Sequence, residues 1–191
     1  MIIGITGGSG SGKTTLLHQI ARQGGTALDC DAIYHRLLAD DPTLTRAIGA
    51  RFPGTVTDGV LDRKKLGSLV FSDESALLAL NAITHAAVKR EVVRMLTPRP
   101  DLAAIDAIGL FEGELAELCD VTVGVLAPEE VRVARLMRRD GISETYARSR
   151  IRAQHPDEWF REKCDYILEN GESDEAFCRK CLAFLKKLAI I

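Results

Sequence analysis

Met1-Ile2-Ile3-Gly4-Ile5-Thr6-Gly7-Gly8-Ser9-Gly10-Ser11-Gly12-Lys13-Thr14-Thr15 opens the chain, and its reading decides the fold. Residues 1–6 are apolar and β-branched and predict a buried strand. Gly7 to Thr14 fit G-x-x-x-x-G-K-[ST]. Lys13 to Gln23 has helical spacing and meets a stop signal at Gly24-Gly25. The glycines let the backbone curl so that successive N–H groups point inward around a phosphate. The helix that follows adds its positive dipole end. Lys13 is suited to the β- and γ-phosphates, the Thr14 hydroxyl to Mg²⁺ and Thr15 to the α-phosphate side. A nucleotide loop made of Gly8, Ser9, Gly10, Ser11, Gly12, Lys13, Thr14 and Thr15 is therefore expected, but GTPases, ATPases and kinases all share such a loop.

Outward from it, Thr26–Asp29 predicts a second strand, and Leu102–Ile108, Val121–Leu126 and Asp165–Leu168 three more. From Asp31 to about Leu96 the pattern is mostly helical, interrupted at Pro42, Pro53-Gly54 and Asp58-Gly59. Pro128 fits the first turn of a helix. Two charged helical segments follow, divided near Gly141, and Ser173 to about Leu188 predicts a closing helix. Strands alternating with helices imply an α/β fold: a parallel five-stranded sheet with helices on both faces, ligands binding at the carboxyl ends of its strands. The 191 residues suit a single domain. A net charge of −2 makes no case for nucleic acid or an anionic membrane. The apolar start is too short for a signal peptide, no apolar run approaches membrane-spanning length, and a cytoplasmic protein is expected. Five cysteines without regular spacing argue against a disulfide framework, and Cys178-x-x-Cys181 lacks the further ligands of a zinc site.

Three further features carry chemistry. Asp29-Cys30-Asp31 ends the second strand, where strand periodicity puts both carboxylates on one side. Asp31 is the candidate to take a proton from an acceptor hydroxyl, with an N-cap of the next helix as its alternative reading. Residues 132–152 hold seven arginines, and Arg132, Arg135 and Arg139 share one helix face. A helix–turn–helix lid would place such charge on a moving phosphoryl group. A solvated helix pair competes with that reading, and an RNA patch is disfavoured because no series of stacking aromatics is interleaved, Tyr146 standing alone. Asp106 could hold Mg²⁺ through water, or be a structural carboxylate. Asn170-Gly171 is a turn that could also reach adenine, and His85 taken alone reads as structural.

Together these segments resemble the dephospho-CoA kinase family along nearly the whole chain. The resemblance rests on Thr6 to Thr15, Leu28-Asp29-Cys30-Asp31, Asp58-Gly59-Val60-Leu61-Asp62-Arg63, Leu66, Val70-Phe71, Leu80 to His85, Asp106 to Glu112, Arg135 to Gly141 with Arg152 and Gln154, and Cys164 to Gly171. It implies ATP-dependent phosphorylation of the ribose 3′-hydroxyl of dephospho-CoA. It also implies Asp31 as base, Lys13 and Thr14 on phosphate and Mg²⁺, and Arg139 on the transferring phosphoryl group. Arg135, Asn170 and Gly171 are expected beside ATP, and Arg63, His85 and Asp106 beside the acceptor. Residues 32–97 would form the CoA-binding subdomain and 132–154 the lid, on a core of 1–31, 98–131 and 155–191. The partners expected are ATP and dephospho-CoA, with the protein a monomer or weak homo-oligomer. Three positions depart from the family: Ala86 and Ile108 stand where proline is usual, and Ser9 where an aliphatic residue is usual. A kinase of another small acceptor (a nucleoside, a nucleoside monophosphate or shikimate) and a nucleotide-binding regulator are the competing readings.

Overall fold

The computed structural model describes residues 1–70 and 73–190. Phe71, in one of the family-like runs, lies outside the described residues. In chain order the elements are β1 (Ile2–Thr6), α1 (Lys13–Arg22), β2 (Thr26–Asp29), α2 (Cys30–Asp40), α3 (Pro42–Arg51), β3 (Val56–Thr57), β4 (Val60–Leu61), α4 (Arg63–Val70), α5 (Glu74–Met95), β5 (Ala103–Asp106), β6 (Val121–Leu126), α6 (Glu129–Asp140), α7 (Glu144–Arg152), α8 (Asp157–Lys163), β7 (Tyr166–Glu169) and α9 (Asp174–Lys187).

Five strands form one sheet in the order β2-β5-β1-β6-β7, the expected α/β architecture. β1 pairs in parallel with β5 and β6, and β6 with β7. A central parallel strand is covered on both faces, which is why β1 reads as a continuous apolar run and is buried throughout. Ile3 and Ile5 point into a layer with Leu16, Leu17 and Ile20 of α1 and Phe177, Phe184 and Leu185 of α9. Leu110 and Cys119 press on the other face at Gly4, and Phe160 of α8 at Gly124. Truncating Ile5 or Leu16, both wholly buried, would cost about 2–5 kcal/mol.

The chain divides into two compact units: Met1–Leu28, Arg99–Phe111 and Leu115–Ile191 form the first, Asp29–Pro98 with Glu112–Glu114 the second. The second has its own core of Leu44, Ile48, Phe52, Leu66, Val70, Ala76 and Ala87.

Local expectations meet the structure unevenly. α1 stops where Gly24, at φ 82°, cannot continue a helix. In the second unit, Asp58-Gly59 is more than a helix interruption: it is the two-residue loop of a β3–β4 hairpin, with φ 51° and 80°. Asp62 then accepts from Lys65 N at 2.9 Å and starts α4. Most of the Asp-Gly-x-Leu-Asp-Arg run thus builds backbone, and Arg63 is left exposed at the head of α4. Ala86 sits inside α5, which runs unbroken for 22 residues; a proline there would remove a helical donor. α8, announced by Pro156 and two acidic residues, has no counterpart in the sequence reading.

Strand periodicity does not extend across Asp29-Cys30-Asp31, because β2 ends at Asp29 and Cys30 begins α2. The capping role considered for Asp31 belongs to Asp29, whose carboxylate accepts from Ala32 N at 3.0 Å.

Candidate active site

The glycine-rich loop lies between the central strand and α1, at the carboxyl end of the sheet. α1 begins after Gly12, at φ 103°, with no side-chain cap and no acid in its first turn. Its leading N–H groups are therefore left for an anion. Ser11 N donates to Gly8 O at 3.2 Å, which tightens the turn. Lys13 Nζ reaches back across the loop to Gly7 O (3.0 Å) and Gly8 O (3.4 Å). The Ser11 hydroxyl is buried and has no hydrogen-bond partner among the described residues, a condition that costs about 1–3 kcal/mol unless a ligand relieves it.

Two glycines have a tertiary reason as well as a conformational one. A Cβ on Gly8 would sit 2.0 Å from Arg132 Nη2, and one on Gly12 2.2 Å from Asn170 Nδ2. Both neighbours are wedged against the loop. Arg132, on α6, is 5% exposed and donates through Nε to Ser9 O at 2.9 Å. Burial pulls its guanidinium below the usual value, while Asp157, 3.9 Å away, and Glu129 act the other way. Asn170, 2% exposed at the end of β7, donates to Ser11 O at 2.7 Å. Its Oδ1 accepts from Arg135 Nη2 at 3.1 Å, and Arg135 Nη1 also reaches Gly10 O and Ser11 O at 3.3 and 3.4 Å. The Asn170-Gly171 turn thus bears on the loop through the Asn170 side chain.

The arginine-rich segment forms the α6–α7 hairpin, with a small core of Val133, Leu136, Ala147 and Ile151. Its charge is answered by more carboxylates than the sequence window contains. Arg148 meets Glu129, Glu130 and Glu144 at 2.9, 2.7 and 2.8 Å. Asp140 takes both Arg139 and Arg150 at 2.6 Å. These bonds, that from Arg139 foremost, hold the Asp140 carboxyl down at about 2. Arg138 and Arg152 are exposed with no ion pair among the described residues.

Asp106 is buried at the carboxyl end of β5, in register with Ile5 of β1. Beside it, Thr6 Oγ1 donates to Ile108 O at 3.0 Å, a carbonyl that proline would also supply. Thr14 is exposed in the first turn of α1. In the second unit Asp31 is exposed in the first turn of α2, with no hydrogen bond or ion pair to its carboxylate among the described residues. Arg63 heads α4, and His85 is half-buried on α5.

Sequence reasoning passed over three residues. Tyr34 lies one turn beyond Asp31; burial raises its hydroxyl, and nearby Arg63 opposes this. The i, i+3 spacing from Asp31 was the available signal. Arg132 was visible as one of three arginines on a shared helix face but without a separate role, and Gln154 only as the end of a family-like run.

The dephospho-CoA kinase family model matches residues 1–175. A dephospho-CoA kinase from Anaeromyxobacter dehalogenans is 36% identical over 193 residues, spanning 98% of this chain and 92% of the relative. The crystal structure of TT1252 from Thermus thermophilus superposes with a TM-score of 0.82 at 37% identity, covering 98% of this chain and 97% of that one. A shikimate kinase from Bacteroides thetaiotaomicron, 19% identical over 100% of this chain and 99% of its own, has a TM-score of 0.59 and shares the fold.

Proposed function

Because the chain belongs to the dephospho-CoA kinase family, which phosphorylates dephospho-CoA with ATP in coenzyme A biosynthesis, we propose that Lys13, Thr14, Arg139 and Asp31 carry the transfer. The observation that supports this most is the uncapped start of α1 beneath a glycine loop crossed by Lys13. Loop N–H groups, the Lys13 ammonium and the buried Ser11 hydroxyl receive the triphosphate. Arg135 and the Asn170-Gly171 turn flank the nucleotide. Residues 132–154 act as a lid that brings Arg139 to the γ-phosphoryl group and keeps water out.

Asp31 is the base. Its carboxylate takes the proton of the 3′-hydroxyl as that oxygen bonds to the γ-phosphorus. The bond from the γ-phosphorus to the β,γ-bridging oxygen breaks, and ADP departs. Residues 32–97 receive dephospho-CoA, with Arg63 and His85 among its contacts and Asp106 at the acceptor from the sheet. The Thr14 hydroxyl and the Asp106 carboxylate are hard oxygen donors of the kind that suit Mg²⁺, an ion that takes few protein ligands and completes its shell with phosphate and water. Bound there, the ion would neutralise charge on the β- and γ-phosphates.

No helix among the described residues is long and apolar enough to cross a membrane. We place the protein in the cytoplasm as a monomer or weak homo-oligomer, acting without nucleic acid or membrane.

Incubation with ATP, Mg²⁺ and dephospho-CoA, with ADP and CoA both followed, tests the residue roles. CoA is expected from the wild type, and a loss of more than about 100-fold in Asp31→Asn. Equal CoA from both would remove Asp31 as base. ADP formed only with a nucleoside, a nucleoside monophosphate or shikimate would change the acceptor.

A further inference from the structure

Ser9 is held at every one of its polar atoms. Its N–H donates to Gln154 Oε1 at 2.9 Å, its carbonyl accepts from Arg132 Nε at 2.9 Å, and its hydroxyl accepts from Gln154 Nε2 at 2.7 Å. Arg132 Nη2 closes the ring on Gln154 Oε1 at 2.8 Å. Ser9 and Arg132 are 6% and 5% exposed, so the bond between them is buried, while Gln154 is half-buried. Arg132 belongs to the first turns of α6, and Gln154 stands two residues beyond α7. Both roots of the lid are therefore fastened to one residue of the phosphate loop. The aliphatic residue usual at this place in the family could keep the two backbone bonds but not the hydroxyl bond.

We infer that Gln154 and Arg132 are positioning residues for ATP, clasping Ser9 so that the loop is held curved before the nucleotide arrives. Glycine-rich backbone loses more freedom on ordering than any other. A loop already ordered by side chains from elsewhere avoids that loss on binding. The clasp is made among Ser9, Gln154 and Arg132 themselves and includes no group assigned to the moving phosphoryl. It thus strengthens binding of ground and transition states alike, which shows in KM and not in kcat. The lid roots move with the loop, and lid motion is confined to the part of the hairpin beyond them.

The inference rests on the loop being the ATP site, so equilibrium ATP binding is measured together with steady-state kinetics. Gln154→Ala is expected to raise the ATP Kd and KM about tenfold, with kcat and the KM for dephospho-CoA within about twofold. Gln154→Glu can still accept from Ser9 N and from Arg132, and the Ser9 hydroxyl can turn to donate to it. It is expected to stay within about threefold of wild type. Ser9→Ala removes the hydroxyl bond alone and is expected to raise the ATP KM about threefold. A general packing defect would not separate the two Gln154 variants, nor spare the acceptor KM. Wild-type ATP affinity in Gln154→Ala, or Gln154→Glu as weak as Gln154→Ala, would overturn the clasp. Should Gln154→Ala fail to fold, an ATP KM equal to wild type in Ser9→Ala, or a Gln154→Glu weaker than wild type by about tenfold, would overturn the clasp. A wild type that does not bind ATP would instead sink the reading of the loop.

Discussion

At the root of the α6–α7 hairpin Arg132 is 5% exposed, with its guanidinium on a backbone carbonyl and an amide oxygen. At the tip Arg139 is exposed and lies against Asp140 at 2.6 Å, in water. The two residues look alike in the sequence and share a helix face, yet their surroundings give them different work. Arg132 is buried, and its guanidinium is engaged by Ser9 O and Gln154 Oε1, with Asp157 at 3.9 Å. An exposed ion pair like that of Arg139 is worth about 0–1 kcal/mol, so a phosphoryl group can take the guanidinium over at little cost. Charge usable for catalysis is charge whose resting partner is easily exchanged.

The largest expected effect tests the tip. Arg139→Ala should lower kcat about a thousandfold while leaving the thermal midpoint within about 2 °C, if the guanidinium acts as proposed on charge that develops during transfer. A kcat near wild type would hand the role to Arg138 or Arg152, whose side chains are exposed and unpaired among the described residues. At the root the order of effects reverses. Arg132→Ala should cost about 3 kcal/mol in urea unfolding, since it strips a buried partner from Ser9 O and Gln154. Stability equal to wild type would mean that the root is as dispensable as the tip.

Asp140 sharpens the comparison through pH. Its carboxyl is lowered from 3.8 to about 2, first by the bond from Arg139 and next by that from Arg150. A depressed carboxyl adds stability that is fully present above the unfolded value and is lost as pH falls through the folded one. The hairpin tip should therefore hold its pairing unchanged from pH 7 to 4. A carboxyl-carbon NMR titration with a midpoint near 4 would show the pair to be absent in solution. The smallest effect concerns thiols. Burial pushes Cys119 and Cys181 up to about 12 and Cys164 to about 11. Iodoacetamide at pH 8 should thus leave all three unmodified in the native protein, as peptide mapping would report.

The nucleotide loop was legible because its signals are consecutive: a β-branched run, glycines, a lysine, a helix. The same holds for the sheet, whose strands needed only short apolar stretches bounded by turns. The β3–β4 hairpin was hidden because two residues per strand carry no periodicity, although Asp58-Gly59 was its signature. Asp31 was found as a candidate for a mistaken geometric reason. It stands in a helix, and Asp29, two residues earlier, does the capping.

By itself the sequence determined that a phosphate loop follows a central strand, that helices surround a parallel sheet, and which charged side chains are available. These depend on contacts within a few residues, where backbone sterics and hydrophobic spacing act directly. Only the tertiary structure decided what Gly8 and Gly12 must make room for and which arginine is spent on the fold. Ser9 meets Gln154 across 145 positions, and Asn170 meets Ser11 across 159. Such pairings arise when the hairpin and the end of β7 pack against the loop, and no local pattern in the chain encodes them.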